Sequence, residues 1–297
     1  MIANRIYPAK LLLFGEHLLL QGASALAIPA PAFYGHWVQQ PLEERPLLWH
    51  QLKKVLSLLA PSVPLDLVQL SKDVQDGWYF ESNIPQGYGL GSSGALCAGL
   101  YDRYALGDKS TGASELKQIL GDIEASFHGK SSGIDPLTAY LQAPIFIQEQ
   151  TKVVPLPYGC AFPDLTIFLI DTLQPRATGV LVQWFLEQCN HTTFNQMLKT
   201  SVFPAHEAMI DTWMNGKDES FLEHLRFISH WQSVHLRPMM PTHTALLEWW
   251  ISALDDDTTR LKICGAGGGG FVLGFTKNKA AVVAKAQAIG LPIIFPI

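Results

Sequence analysis

Residues 83–100 read NIPQGYGLGSSGALCAGL, and the rest of the chain is organised around them. Gly87, Gly89 and Gly91 lie close together and are followed at once by Ser92 and Ser93. Such glycines let a backbone take positive φ and come close to a ligand. The small, apolar run that follows predicts a helix starting directly after the loop. That helix would turn its free N–H groups and positive dipole end back into the loop, which makes an anion site suited to phosphate. A plain glycine-rich turn before a packed helix is the competing reading. Two adjacent hydroxyls, able to cap the helix or ligate a metal, favour the anion site.

Two common phosphate motifs are excluded. A dinucleotide G-x-G-x-x-G follows a strongly apolar strand, whereas WYFESNIP ends in proline and Gly91 falls one position early. A P-loop ending at Gly129-Lys130-Ser131 would need a glycine where Glu124 stands.

The chain has 297 residues, 48% of them apolar and 16% charged, which predicts a compact globular protein with a sizeable core. A net charge of −5 without long like-charge runs argues against nucleic acid and against an anionic membrane as partner. Cys97, Cys160, Cys189 and Cys264 show no C-x-x-C spacing, which fits reduced thiols. The apolar run after Lys10 is too short for a signal peptide, and no run approaches the ~18 residues of a membrane span. The expectation is a cytoplasmic protein.

Strands are predicted at residues 5–14 and 25–37, a helix at 47–59, and a strand pair at 63–70 and 77–82. Helices are expected at 94–106 and 113–127. The proline-bearing stretch 143–159 is read as the boundary between domains 1–155 and 156–297. The second half reads as a strand at 165–170, helices including 178–190 and 203–215, an irregular segment at 230–240, and a helix at 241–254. Strands at 261–264 and 271–275, a helix at 279–289 and a strand at 292–295 complete it. An α+β fold is expected in both halves.

Lys10 opens an apolar strand that leads to Glu16 and His17. It is read either as solvated or as a cation steadying phosphate charge. Asp135 is a turn aspartate or a carboxylate that takes a substrate proton. Glu124 is a surface residue or a Mg²⁺ ligand. Asp255–Asp257 read as a solvated helix end; His191, His206, His230, His235 and His243 lack metal-ligand spacing.

Together these segments resemble the GHMP small-molecule kinases, and within them the mevalonate kinases. PAKLLLFGEHLLLQGASALAIP resembles the family's first motif, IPQGYGLGSSGAL its phosphate loop and KICGAGGGG its third, glycine-rich motif. The segments 124–135 and 171–182 are similar to the metal-and-aspartate segment and the P-R-x-T segment of mevalonate kinases. The resemblance implies a two-lobed fold, an N-terminal ribosomal-S5-like lobe and a C-terminal ferredoxin-like lobe, with the site between them. It implies transfer of the ATP γ-phosphoryl group to the primary hydroxyl of mevalonate. Asp135 and Lys10 would be catalytic, and Gly87, Gly89, Leu90, Gly91, Ser92 and Ser93 would wrap the phosphates. Ser93 and Glu124 would hold Mg²⁺, while Glu16, His17, Arg176 and Thr178 would line the acceptor. Gly265, Gly267 and Gly268 belong to the third motif. The family often forms homodimers.

The chain departs from the pattern at Ala9 (usually glycine), Gly94 (usually alanine) and Cys264 (often threonine). The rival readings are a kinase of this fold with another acceptor, such as phosphomevalonate, a sugar or homoserine, and a non-catalytic metabolite-binding regulator.

Overall fold

The computed structural model describes residues 5–41, 54, 57–59, 63–107, 109, 112–149, 151–157, 162, 164–175, 178–216 and 218–297. The helix expected at 47–59 lies largely outside them.

Strand β1 (Ile6–Phe14) is almost wholly buried, and it pairs antiparallel with the long strand β2 (Ala25–Gln39). β3 (Trp78–Ser82) pairs with the C-terminal half of β2. β4 (Ile145–Gln148) pairs with the N-terminal end of β2, and β5 (Lys152–Pro155) with β4. Among the described residues β1 is thus an edge strand, and an unpaired edge is normally a liability. Here the glycine loop covers it, because the Lys10 N–H donates to the Leu90 carbonyl at 2.8 Å.

Helix α1 (Leu67–Gln75) begins midway through 63–70, the region expected to be the first strand of a pair. The Asp66 carboxylate accepts from the Gln69 N–H and caps the helix, so local capping overrides the apolar alternation before it. Helices α2 (Ser92–Tyr104), α3 (Ala113–His128) and α4 (Ile134–Leu141) follow the glycine loop and pack together beside β1.

A second, antiparallel sheet has the order β7-β8-β6-β9, from β6 (Thr166–Asp171), β7 (Thr259–Ile263), β8 (Phe271–Thr276) and β9 (Ile293–Ile294). Its helices are α5 (Thr178–Cys189), α6 (Thr192–Met197), α7 (Phe203–Met214), α8 (Asp218–His235), α9 (Thr244–Ser252) and α10 (Lys279–Ala288). A π-helical turn, Leu198–Val202, joins α6 to α7, and Pro204, which has no N–H to donate, is the second residue of α7. The irregular segment expected at 230–240 is helical through His235, and then becomes a 3₁₀ turn, Arg237–Met239. Phe221, Leu225, Ile228 and Trp231 recur at helical spacing on the buried face of α8, which carries the helix through its polar, histidine-bearing end. None of the described helices is long and apolar enough to cross a membrane.

The two sheets share a core. Phe14, at the end of β1, meets Trp213, Phe221 and Phe275 with ring centroids 5.5, 5.8 and 6.0 Å away. Burying such a ring contributes about 2–3 kcal/mol, and here it fixes the turn after β1 against the second sheet. His206 on α7 locks the same region, its Nε2 2.9 Å from the Ser24 carbonyl oxygen.

Burial holds the His206 pKa below 6.5, with the nearby Lys262 adding to the effect. Below about pH 6.5 the unfolded chain therefore takes up a proton that the folded chain refuses. Stability should fall with pH from there toward the folded pKa, by at most about 1.4 kcal/mol per pH unit from this group. Urea unfolding of the wild type and of His206→Gln checks this: the variant should show a shallower pH dependence across that window, and identical slopes would contradict it.

Candidate active site

The site is assembled where β1, the glycine loop and the N-termini of α2 and α4 meet. Lys10 projects from β1 and is 8% exposed, and its Nζ lies 2.8 Å from Asp135 Oδ1. Asp135 stands in the first turn of α4, where helix N–H groups favour a negative charge.

Glycines permit this approach. Gly91 has φ +73°, and a Cβ there would lie 3.1 Å from Asp135 Oδ2. A Cβ on Gly94, one turn into α2, would lie 2.7 Å from Asp135 Cβ and 2.8 Å from the Pro136 nitrogen. The departure from the usual alanine at Gly94 thus has a physical reason, since α2 and α4 touch backbone to backbone. The phosphate-type loop and the aspartate are thereby held against each other.

Ser93 lies in the first turn of α2, and its hydroxyl donates to Glu124 Oε1 at 2.8 Å. Ser131 donates to the other Glu124 oxygen at 2.5 Å and accepts from the Gly133 N–H at 2.9 Å. Sequence reasoning missed Ser131, although it sits within the HGKSSGID stretch that drew attention to Asp135. The resulting donor set is a hydroxyl and a buried carboxylate, hard oxygens that fit Mg²⁺. Among the described residues no three His, Cys, Asp or Glu side chains converge on a metal position. A Mg²⁺ held here would take its remaining ligands from water and from phosphate.

The turn after β1 faces the second sheet. Glu16 is buried, and its Oε1 lies 2.5 Å from Lys262 Nζ on β7, which also donates to the Ile263 carbonyl at 2.9 Å. Desolvation pushes the Glu16 pKa up, while Lys262 pulls it back. Removing one partner of such a pair typically costs about 3–5 kcal/mol, because the other charge stays buried alone. His17, at φ +59°, places Nε2 3.1 Å from the Ala266 carbonyl oxygen. The first and third motifs are therefore joined at two points. Lys262 went unnoticed in the sequence; its one local signal is a lysine in an apolar strand next to the glycines.

In the third motif, Gly265, Gly267 and Gly268 lie in the loop between β7 and β8. The Gly268 N–H donates to the Met239 carbonyl at 2.7 Å and that of Gly270 to the Gln174 carbonyl at 2.8 Å. These two groups bind protein, not an anion. Arg176 lies outside the described residues, and Thr178 opens α5. Gly87 and Gly89 both take positive φ, and Leu90 is buried beneath the loop.

Gly94→Ala should destabilise the fold by about 1–3 kcal/mol, the usual cost of overpacking. Denaturant unfolding reads this directly, and an unchanged midpoint would show that α2 and α4 separate freely.

Residues 52–142 match the family profile "GHMP kinases N terminal domain". The mevalonate kinase of Pyrococcus furiosus is 28% identical, over 97% of this chain and 93% of the relative. Among solved structures, the Methanococcus jannaschii mevalonate kinase superposes with a TM-score of 0.66 at 16% identity, covering 99% of this chain and 98% of the other. The Streptococcus pneumoniae phosphomevalonate kinase gives a TM-score of 0.69 at 14% identity, covering 99% and 98%. The chain thus has the mixed helix-and-sheet fold of the GHMP kinases along nearly its whole length, and within them it resembles the mevalonate kinases.

Proposed function

We propose that this protein is an ATP-dependent kinase that transfers the γ-phosphoryl group to the primary hydroxyl of mevalonate. One observation carries the reading: the Lys10–Asp135 pair at 2.8 Å, seated directly against Gly91 of the loop. Phosphoryl transfer needs positioned phosphates, an oriented hydroxyl and compensated charge, with little covalent chemistry from the protein. The loop N–H groups and the α2 N-terminus would hold the phosphates. Asp135 would orient the acceptor hydroxyl and accept its proton, with Lys10 balancing charge beside it. Ser93 and Glu124 would hold Mg²⁺, which supplies charge neutralisation at the phosphates when bound.

Residues 1–155 and 156–297 would act as two lobes around this centre. Glu16, His17, Arg176 and Thr178 would face the acceptor, and Lys262 would hold Glu16 in place. Mevalonate as acceptor is supported by the Pyrococcus relative and by the P-R-A-T segment. The phosphomevalonate kinase with the same fold keeps that acceptor in play.

Release of ADP from Mg·ATP, followed with mevalonate, phosphomevalonate, galactose and homoserine, tests the assignment. Turnover with mevalonate is expected, and Glu124→Gln should raise the Mg²⁺ needed for half-maximal rate by about tenfold or more, in line with loss of a charged ligand. Turnover with another member alone would replace the acceptor. Silence with all four would overturn the reading.

A further inference from the structure

Ser131 stands between α3 and α4, and none of the proposed roles uses it. Its hydroxyl meets Glu124 Oε2 at 2.5 Å and the Gly133 nitrogen at 2.9 Å. Chemistry fixes the direction of both bonds. An N–H can only donate, so the hydroxyl oxygen receives it and the one hydroxyl proton goes to the carboxylate. Gly133 is the N-cap of α4, two positions before Asp135. One small side chain thus joins the carboxylate assigned to Mg²⁺ to the helix that carries the aspartate.

Close backbone packing makes the reach short. A Cβ on Gly133, at φ +72°, would lie 2.1 Å from the Lys117 carbonyl oxygen, and one on Gly121 would lie 3.4 Å from the Gly133 Cα. The chain at Gly133 is therefore pressed against α3, on which Glu124 follows Gly121 by one turn. Ser93 donates to Oε1 of Glu124 and Ser131 to Oε2, so each oxygen of this buried carboxylate is held by one hydroxyl. The last torsion of a glutamate is otherwise broad. Anchored at both oxygens, the carboxylate keeps one orientation; anchored at one, it can turn.

We propose that Ser131 is a positioning residue that aims the Glu124 carboxylate at Mg²⁺ and ties it to the N-terminus of the Asp135 helix. The inference rests on the kinase reading, in which Ser93 and Glu124 hold the metal at the phosphates. Mg²⁺ demands near-octahedral geometry, so the orientation of its one carboxylate matters. Groups behind a metal ligand set that orientation, and losing one typically weakens metal binding by about 10–100-fold. In Ser131→Ala, Glu124 keeps its charge and its bond to Ser93. It loses only the anchor at Oε2.

Calorimetric titration of the intact protein with AMPPNP, in excess Mg²⁺ and again in EDTA, tests this without turnover. The wild type should bind Mg·AMPPNP more tightly than AMPPNP alone. Ser131→Ala should weaken Mg·AMPPNP binding by about tenfold, the lower end of that range, and leave the affinity for metal-free AMPPNP unchanged. Ser131→Thr, which keeps the hydroxyl, should match the wild type in both conditions. Equal weakening of Ser131→Ala with and without metal would mark a purely structural role and overturn the proposal. So would an unchanged Mg·AMPPNP affinity in Ser131→Ala, a threonine variant that behaves like the alanine one, or a wild type indifferent to Mg²⁺. A wild type that binds AMPPNP in neither condition would instead remove the kinase reading itself, and this inference with it.

Discussion

The ion pair between Lys10 and Asp135 depends on the close approach of three elements, and much of the structure exists to secure that approach. Lys10 comes from an edge strand covered by the glycine loop, and Asp135 from the first turn of a short helix. The helix reaches the strand because Gly91 and Gly94 leave no side chain in its path. A charged pair in a partly desolvated setting is strong only when its geometry is held. Backbone contact holds it here, which leaves little freedom to relax.

A second buried pair, Glu16 with Lys262, does for the two sheets what the first does for the loop. Both groups have almost no exposure, so neither finds compensation in water. With the aromatic contacts of Phe14, the pair fixes the first motif against the third. The Gly-Glu-His turn is thereby held against the third motif, through Lys262 and the Ala266 carbonyl.

Much of this was legible in the sequence because it is local. The loop glycines with Ser93, the helix that starts after them and the buried strand from residue 6 to 14 each announce themselves within a few neighbours, whereas Glu124 and Asp135 also read locally as a surface and a turn carboxylate and stand out through the family resemblance. Residues 63–70 were misread because alternating apolar residues outweighed one capping aspartate, Asp66. The polar, histidine-bearing end of α8 concealed a helix whose buried face is plain only along its full length. Lys262 and Glu16 stand 246 positions apart, and no local pattern announces such a pair. The need for Gly94 is likewise set by a helix forty residues downstream.

The account turns on Asp135 as the group that handles the acceptor hydroxyl. The measurement that reaches it most directly is single-turnover transfer from Mg·ATP to mevalonate by the wild type and Asp135→Asn, with nucleotide affinity measured on both proteins. Transfer should slow by about 10²–10⁴-fold in the variant, the range typical of a general base, while the variant still folds and keeps its nucleotide affinity. Transfer at close to the wild-type rate would contradict it.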